Sequence, residues 1–129
     1  MSKGFGSGSS KRKINVKQFY LENKFVEGEK YFHARNYLKA ELIFSNLIDS
    51  GYEDPNLFLY LANIYIFNGF DEKAIIVLKK ALESNPENPN LYFNLGTLYF
   101  QRSQYKNSIS SYLKGITFDT NNAFAYSNL

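Results

Sequence analysis

The chain lacks cysteine and tryptophan, and it has only three prolines among its 129 residues. Without cysteine it can form no disulfide, offer no thiolate nucleophile and build no cysteine-ligated zinc site. Its one histidine, His33, has no second imidazole with which to share a metal ion. We therefore expect neither a metal nor a cofactor.

Long apolar runs are also absent. No stretch approaches the ~20 residues that a membrane-spanning helix needs. The N-terminal lysines are not followed by the apolar core of a signal peptide. The GFGSGS segment follows no strand, so it does not resemble a phosphate-binding loop. These absences predict a soluble, cytoplasmic protein that has no membrane partner and is not an enzyme, since no catalytic constellation is present.

The positive charge is concentrated at one end. The formal net charge is +3, but residues 1–20 hold five bases and no acid, and the remainder holds ten bases and twelve acids. The repeat region is thus mildly acidic. We expect residues 1–14 to be a flexible, basic Gly/Ser tail, and we expect no specific nucleic-acid partner, which would require a basic folded face.

A 34-residue period organises the rest of the chain. Pro55 matches Pro89, Leu61 matches Leu95, and further pairs align without a gap. Repeats one, two and three are predicted at 15–54, 55–88 and 89–122, with 123–129 as the start of a fourth. The closing NNAFAYSNL therefore has the pattern of a helix start, and we expect the chain to be the N-terminal part of a longer protein.

Two helices are predicted in each repeat. Asp54 and Asn88 are helix caps that precede proline. Asn15 can cap an extended first helix, with Gln18 completing a capping box. Gly51 is a stop signal. The predicted helices span 16–34, 37–50, 55–68, 71–84, 89–102 and 105–118.

The pattern of bulky and small residues resembles the tetratricopeptide repeat. Repeat two carries that pattern in Phe58, Leu61, Ala62, Tyr65, Ala74, Leu78, Ala81 and Pro86. The resemblance implies an all-α fold, a right-handed α-solenoid of antiparallel helix pairs. Repeat one departs from it, because Lys24 and Glu27 replace the aromatic residue and the leucine. We interpret this departure as a polar outer face on the first unit.

In this family the first helices of successive repeats line a concave groove. The resemblance therefore implies a peptide-binding groove whose positions include Asn56, Asn90 and Gln101. Its predicted residues are Phe25, Glu29, Phe32, Leu59, Tyr60, Asn63, Phe67, Phe93, Asn94, Thr97 and Asn128. The leading hypothesis is a protein–protein interaction module, a scaffold or adaptor for a protein or peptide ligand. The alternatives are a self-assembly module, with weak self-association through an open C-terminal face, and the targeting module of a fused transferase.

Asn63, Asn94 and Asn128 admit two interpretations. Side-chain amides, one in each repeat, could hold a peptide main chain, an arrangement similar to the asparagine ladder of O-linked N-acetylglucosamine transferase. Alternatively, asparagine is simply common in this chain. The clamp by which some family members bind chaperone C-termini is mostly missing, because Leu59, Phe124 and Asn128 stand where Lys, Lys and Arg belong. We predict no chaperone-tail binding, since a carboxylate would lack charged partners.

Overall fold

The computed structural model describes residues 15–119, which form six α-helices and no strand. They are α1 (Val16–His33), α2 (Tyr37–Asp49), α3 (Pro55–Phe67), α4 (Asp71–Ser84), α5 (Pro89–Gln101) and α6 (Tyr105–Phe118). Turns of three residues join α1 to α2, α3 to α4 and α5 to α6, so each pair is an antiparallel hairpin. The predicted N-terminal tail and the predicted start of a fourth repeat lie outside the described residues.

Side-chain caps set the starts of α3 and α5. The Asp54 carboxylate accepts the backbone N–H of Asn56 at 2.9 Å, and the Asn88 side chain accepts that of Asn90 at 3.0 Å. Proline follows each cap, where its missing N–H costs no helical hydrogen bond. Both helices therefore begin at the residue that the sequence predicts.

The predicted capping box at the start of α1 forms only in part. The Asn15 side chain accepts the backbone N–H of Gln18 at 3.0 Å, as predicted. The Gln18 side chain, however, donates to Glu22 at 3.2 Å along the helix surface. The second half of the predicted box, in which the Gln18 side-chain oxygen would accept the Asn15 backbone N–H, is thus wrong, because the Gln18 side chain is directed toward Glu22 instead.

Contacts divide the chain into two units, one ending at Tyr52 and the other beginning at Glu53. In the first unit α1 packs against α2. Phe44 is fully buried there beneath Gly28, where a Cβ would lie 2.5 Å from the ring. The close approach of α1 to α2 therefore requires glycine at this position.

The polar pair that replaces the repeat's apolar residues in α1 forms an ion pair. The Lys24 ammonium lies 3.4 Å from the Glu27 carboxylate and 5.8 Å from the centroid of the Tyr20 ring. Both charged side chains remain partly exposed. The departure of repeat one from the family pattern is therefore accommodated by pairing, at a surface where charge remains hydrated.

In the second unit α4 packs against both α3 and α5, and α5 packs against α6. Ala74, Leu78 and Ala81 are fully buried on α4. Two small residues let α5 approach α6, since the Tyr112 ring lies against Gly96 and the Phe93 ring lies against Gly115. In the second unit, alanine therefore allows close packing on α4, and glycine allows close packing between α5 and α6.

Candidate functional site

One side of α3 faces away from its packed core. Asn56, Tyr60, Asn63 and Phe67 recur every three or four residues, so they lie on one side of the helix. The α3 residues buried in the core, including Leu57 and Leu61, lie on other sides. Phe67 keeps 61% of its surface exposed. This side therefore presents two rings and two amides outside the core.

The equivalent side of α5 is polar. The residues 34 positions after the α3 set are Asn90, Asn94, Thr97 and Gln101. All four remain at least partly exposed. We call these eight residues of α3 and α5 the amide–ring face. Because α3 and α5 both pack on α4 within one unit, we treat their equivalent positions as one candidate surface.

The two predicted ligand-binding asparagines differ in what they can offer. The Asn94 side-chain nitrogen donates to the carbonyl oxygen of Asn90 at 2.8 Å, one turn back in α5. Its oxygen and its second N–H remain for a ligand. Within residues 15–119 the Asn63 side chain makes no hydrogen bond, so its whole amide is available. The Asn63 side chain can therefore donate to one peptide carbonyl and accept from one peptide N–H.

Two predicted groove residues are committed to holding α5 on α6. The Thr97 hydroxyl lies 3.0 Å from the carbonyl oxygen of Phe93 and 2.8 Å from the Tyr112 hydroxyl. The half-buried Phe93 ring fills the space above Gly115. Thr97 and Phe93 thus have packing roles that their position in the repeat did not reveal.

In the first unit the predicted set is divided. Phe25, proposed as a groove residue, is only 8% exposed, and its ring centroid lies 6.0 Å from that of Phe44 and 5.5 Å from that of Tyr52. It is a core residue, so its assignment to the groove is wrong. Glu29 and Phe32 are partly exposed. Asn128 lies outside the described residues.

The proposed ladder of amides follows the 34-residue repeat between Asn94 and Asn128 but not between Asn63 and Asn94. Asn63 precedes Asn94 by 31 residues rather than 34. In strict register Asn94 is matched by Tyr60, and Asn63 is matched by Thr97. The two amides are therefore offset by about one helical turn.

A second exposed apolar surface lies on α6. Ile109 is 60% exposed and Leu113 is 45% exposed, beside Lys106 and Lys114. Ile116, on the same helix, is buried. We call Ile109 and Leu113 the α6 apolar pair.

Two negative findings apply to the part of the chain that the structure describes. Among residues 15–119 no three His, Cys, Asp or Glu side chains cluster in a way that could hold a metal ion. None of the six described helices combines the length and the apolarity that crossing a membrane requires.

Comparisons with known proteins identify the family. Residues 62–101 match a family model described as TPR repeat, and residues 89–122 match one described as Tetratricopeptide repeat. The chain is a tetratricopeptide repeat protein. No curated protein matches it. The two matches overlap on α5, the helix that carries half of the amide–ring face of this tetratricopeptide repeat protein.

Solved structures agree on the fold. PcrH in complex with the chaperone binding region of PopB is 18% identical, with a TM-score of 0.74 over 84% of this chain and 87% of that one. The Sgt2 TPR domain from Aspergillus fumigatus is 24% identical, with a TM-score of 0.71 over 79% and 68%. The first TPR of Spaghetti (RPAP3), bound to the HSP90 peptide SRMEEVD, is 20% identical, with a TM-score of 0.73 over 84% and 86%. The tetratricopeptide repeats thus form an all-α helical solenoid.

Proposed function

We propose that the chain is a protein-interaction module that binds a peptide segment of a partner protein on the amide–ring face. The observation that carries this proposal is the combination of an exposed ring, Phe67, with the unpaired amide of Asn63 on one side of α3. The ring offers apolar area to a ligand, and the amide can pair with a peptide main chain.

The energetic argument is straightforward. Complete burial of an exposed phenylalanine ring contributes about 1.5–3 kcal/mol. A net hydrogen bond from Asn63 or Asn94 to a peptide group contributes about 1 kcal/mol. Such contacts, repeated along α3 and α5, suit a segment that lies across both helices. The likeness to solved structures that hold partner peptides, PcrH and the RPAP3 repeat, supports the same proposal.

The test compares two apolar-to-serine substitutions in the same unit. Peptides are selected from a displayed random library on the full chain, and their affinities are measured by fluorescence polarisation. Phe67→Ser should weaken binding by about tenfold, which corresponds to ~1.4 kcal/mol. Ile76→Ser is the matched control, since Ile76 is 65% exposed on α4 and outside the amide–ring face. Equal effects of the two variants would argue against the proposed site.

A further inference from the structure

The amide–ring face is built on two helices that carry no charge. The thirteen residues of α3 and the thirteen of α5 include no Asp, Glu, Lys, Arg or His. The neighbouring helices of the same unit are different. Charged residues on α4 and α6 are Asp71, Glu72, Lys73, Lys79, Lys80, Glu83, Lys106 and Lys114. The absence of charge is therefore a property of the ligand-facing helices and does not extend to the rest of the unit.

The equivalent positions of α1 carry charge of one sign. Stepping back 34 residues from the α3 set gives Glu22, Val26, Glu29 and His33. Two of these four side chains are carboxylates, and none is lysine or arginine. Considered within its own unit, this side of α1 thus offers no lysine or arginine to an acidic ligand.

We infer that the ligand of the amide–ring face is an uncharged, apolar segment of a partner protein, bound in an extended form. This inference rests on the proposed function and specifies its ligand class. An acidic side chain on such a surface would lose hydration without gaining a cationic partner. Apolar side chains lose nothing by leaving water, and they find rings at Tyr60 and Phe67.

The two asparagines favour an extended main chain over a helix. A helical ligand has already paired its backbone groups internally, whereas an extended segment leaves N–H and C=O groups that need partners. The Asn63 amide supplies one acceptor and two donors, and Asn94 supplies an acceptor and one remaining N–H. The offset of these two amides by about one helical turn gives the segment two anchoring points.

The experiment measures the composition and the salt dependence of bound peptides. Peptides selected on the full chain should be depleted in Asp and Glu relative to the input library. Their affinity should change by less than about twofold between ~50 and ~500 mM NaCl, because no ion pair is screened. Introducing two glutamates into a selected peptide should lower its affinity for the chain by about tenfold or more. The SRMEEVD peptide should not bind detectably.

Charge variants of the face provide the converse test. Asn63→Lys should weaken the selected apolar peptide, and should give the glutamate-bearing peptide a salt-sensitive gain in affinity. Ile76→Lys, which adds the same charge on α4, should change the affinity of neither peptide. Melting temperatures of both variants confirm that the module is folded.

The outcomes separate the ligand class from the proposed function. If the selected peptides are acidic and bind the Phe67→Ser variant more weakly, the inference of an uncharged ligand is wrong, but the proposed site stands. Binding of SRMEEVD by the unmodified chain, abolished by the same substitution, would do likewise. If no selected peptide responds to Phe67→Ser, the proposed function itself fails, and the inference fails with it.

Discussion

Ser103 adopts the same left-handed backbone as Gly69, the residue one 34-residue period before it, with φ of 60° against 79°. Arg35 occupies the same position in repeat one and has φ of 62°. The turn between the two helices of a repeat therefore requires a left-handed residue every time. Only repeat two places glycine there, so the other two repeats hold a side chain in a conformation that disfavours it.

We predict that Ser103→Gly stabilises the protein and Gly69→Ala destabilises it. Removing the left-handed penalty gains about 1–2 kcal/mol, and the greater freedom of glycine in the unfolded chain returns roughly 0.4–1 kcal/mol of that. The net gain should be about 0.5 kcal/mol in the free energy of unfolding, measured by urea denaturation. Gly69→Ala should lose about 0.5–1 kcal/mol, since the lower unfolded-state freedom of alanine offsets part of the left-handed penalty.

The matched control for this prediction is Ser110→Gly. Ser110 is exposed within α6, where the backbone is right-handed helix. The same substitution should there lower stability by about 0.5 kcal/mol, since glycine is a poor helix former. A loss of stability in both serine variants would show that the left-handed penalty at Ser103 is smaller than the unfolded-state cost of glycine, contrary to the prediction.

A second prediction concerns Gly115, whose Cα faces the Phe93 ring. In an exposed helix Gly→Ala is stabilising by up to ~1 kcal/mol. Here a Cβ would lie 2.6 Å from Cδ1 of Phe93, so the ring must move. Gly115→Ala should therefore lower the free energy of unfolding by about 1–3 kcal/mol.

The double variant separates this clash from other causes. Phe93→Ala removes all the ring atoms that a new Cβ would meet. If the ring contact is responsible, Gly115→Ala should cost at least about 1 kcal/mol less in the Phe93→Ala background, a measurable coupling. A Gly115→Ala variant that is more stable than the unmodified protein would contradict the observed packing of α5 on α6.

The helix boundaries could be predicted from the sequence because their signals are local. Asp54 and Asn88 bond to backbone groups two residues away, and Gly69 ends its helix through its own backbone. Any cap of this kind is visible in a window of a few residues. The left-handed turn at Ser103 carried no such signal, since serine is compatible with many conformations.

Side-chain environments were harder to predict, because they depend on distant residues. The repeat places Phe25 in register with Leu59, yet the rings of Phe44 and Tyr52 enclose Phe25 in the first unit. The exposure of Leu113 was likewise missed, since the equivalent residue of repeat two is the polar Lys79. A period assigns a residue to a helix side, but only packing decides whether that side is covered.

A third prediction separates binding from stability at Asn94. Its hydrogen bond to Asn90 joins residues of the same helix at a solvent-accessible surface, so Asn94→Ala should leave the melting temperature nearly unchanged. Loss of a ligand hydrogen bond should weaken a selected peptide by about fivefold, or ~1 kcal/mol. Fluorescence polarisation and thermal denaturation measure the two effects.

Asn107→Ala is the control for Asn94→Ala. Asn107 is an exposed amide on α6, outside the amide–ring face, with its own contact to Gln104 at 3.4 Å. This variant should bind the same peptide as the unmodified chain does. If Asn94→Ala instead unfolds the module, Asn94 is a structural residue and its proposed contact with the ligand is abandoned.

The last prediction concerns weak self-association through the α6 apolar pair. Ile109 and Leu113 are exposed, and the described helix α6 carries lysines but no acid. Two copies that meet through α6 would bury four aliphatic side chains, a gain largely offset by the entropic cost of association. The lysines would repel, so raising NaCl from ~50 to ~500 mM should strengthen association, the opposite of an ion-paired interface. Sedimentation velocity should detect dimers only at high, roughly millimolar, protein concentration.

Two double variants test this surface. Ile109→Ser with Leu113→Ser should remove the dimers. Leu38→Ser with Leu42→Ser, which alters a more exposed aliphatic pair on α2, should leave association unchanged. Dimers that dissociate as salt rises, or that persist in the α6 double variant, would place the self-association surface elsewhere.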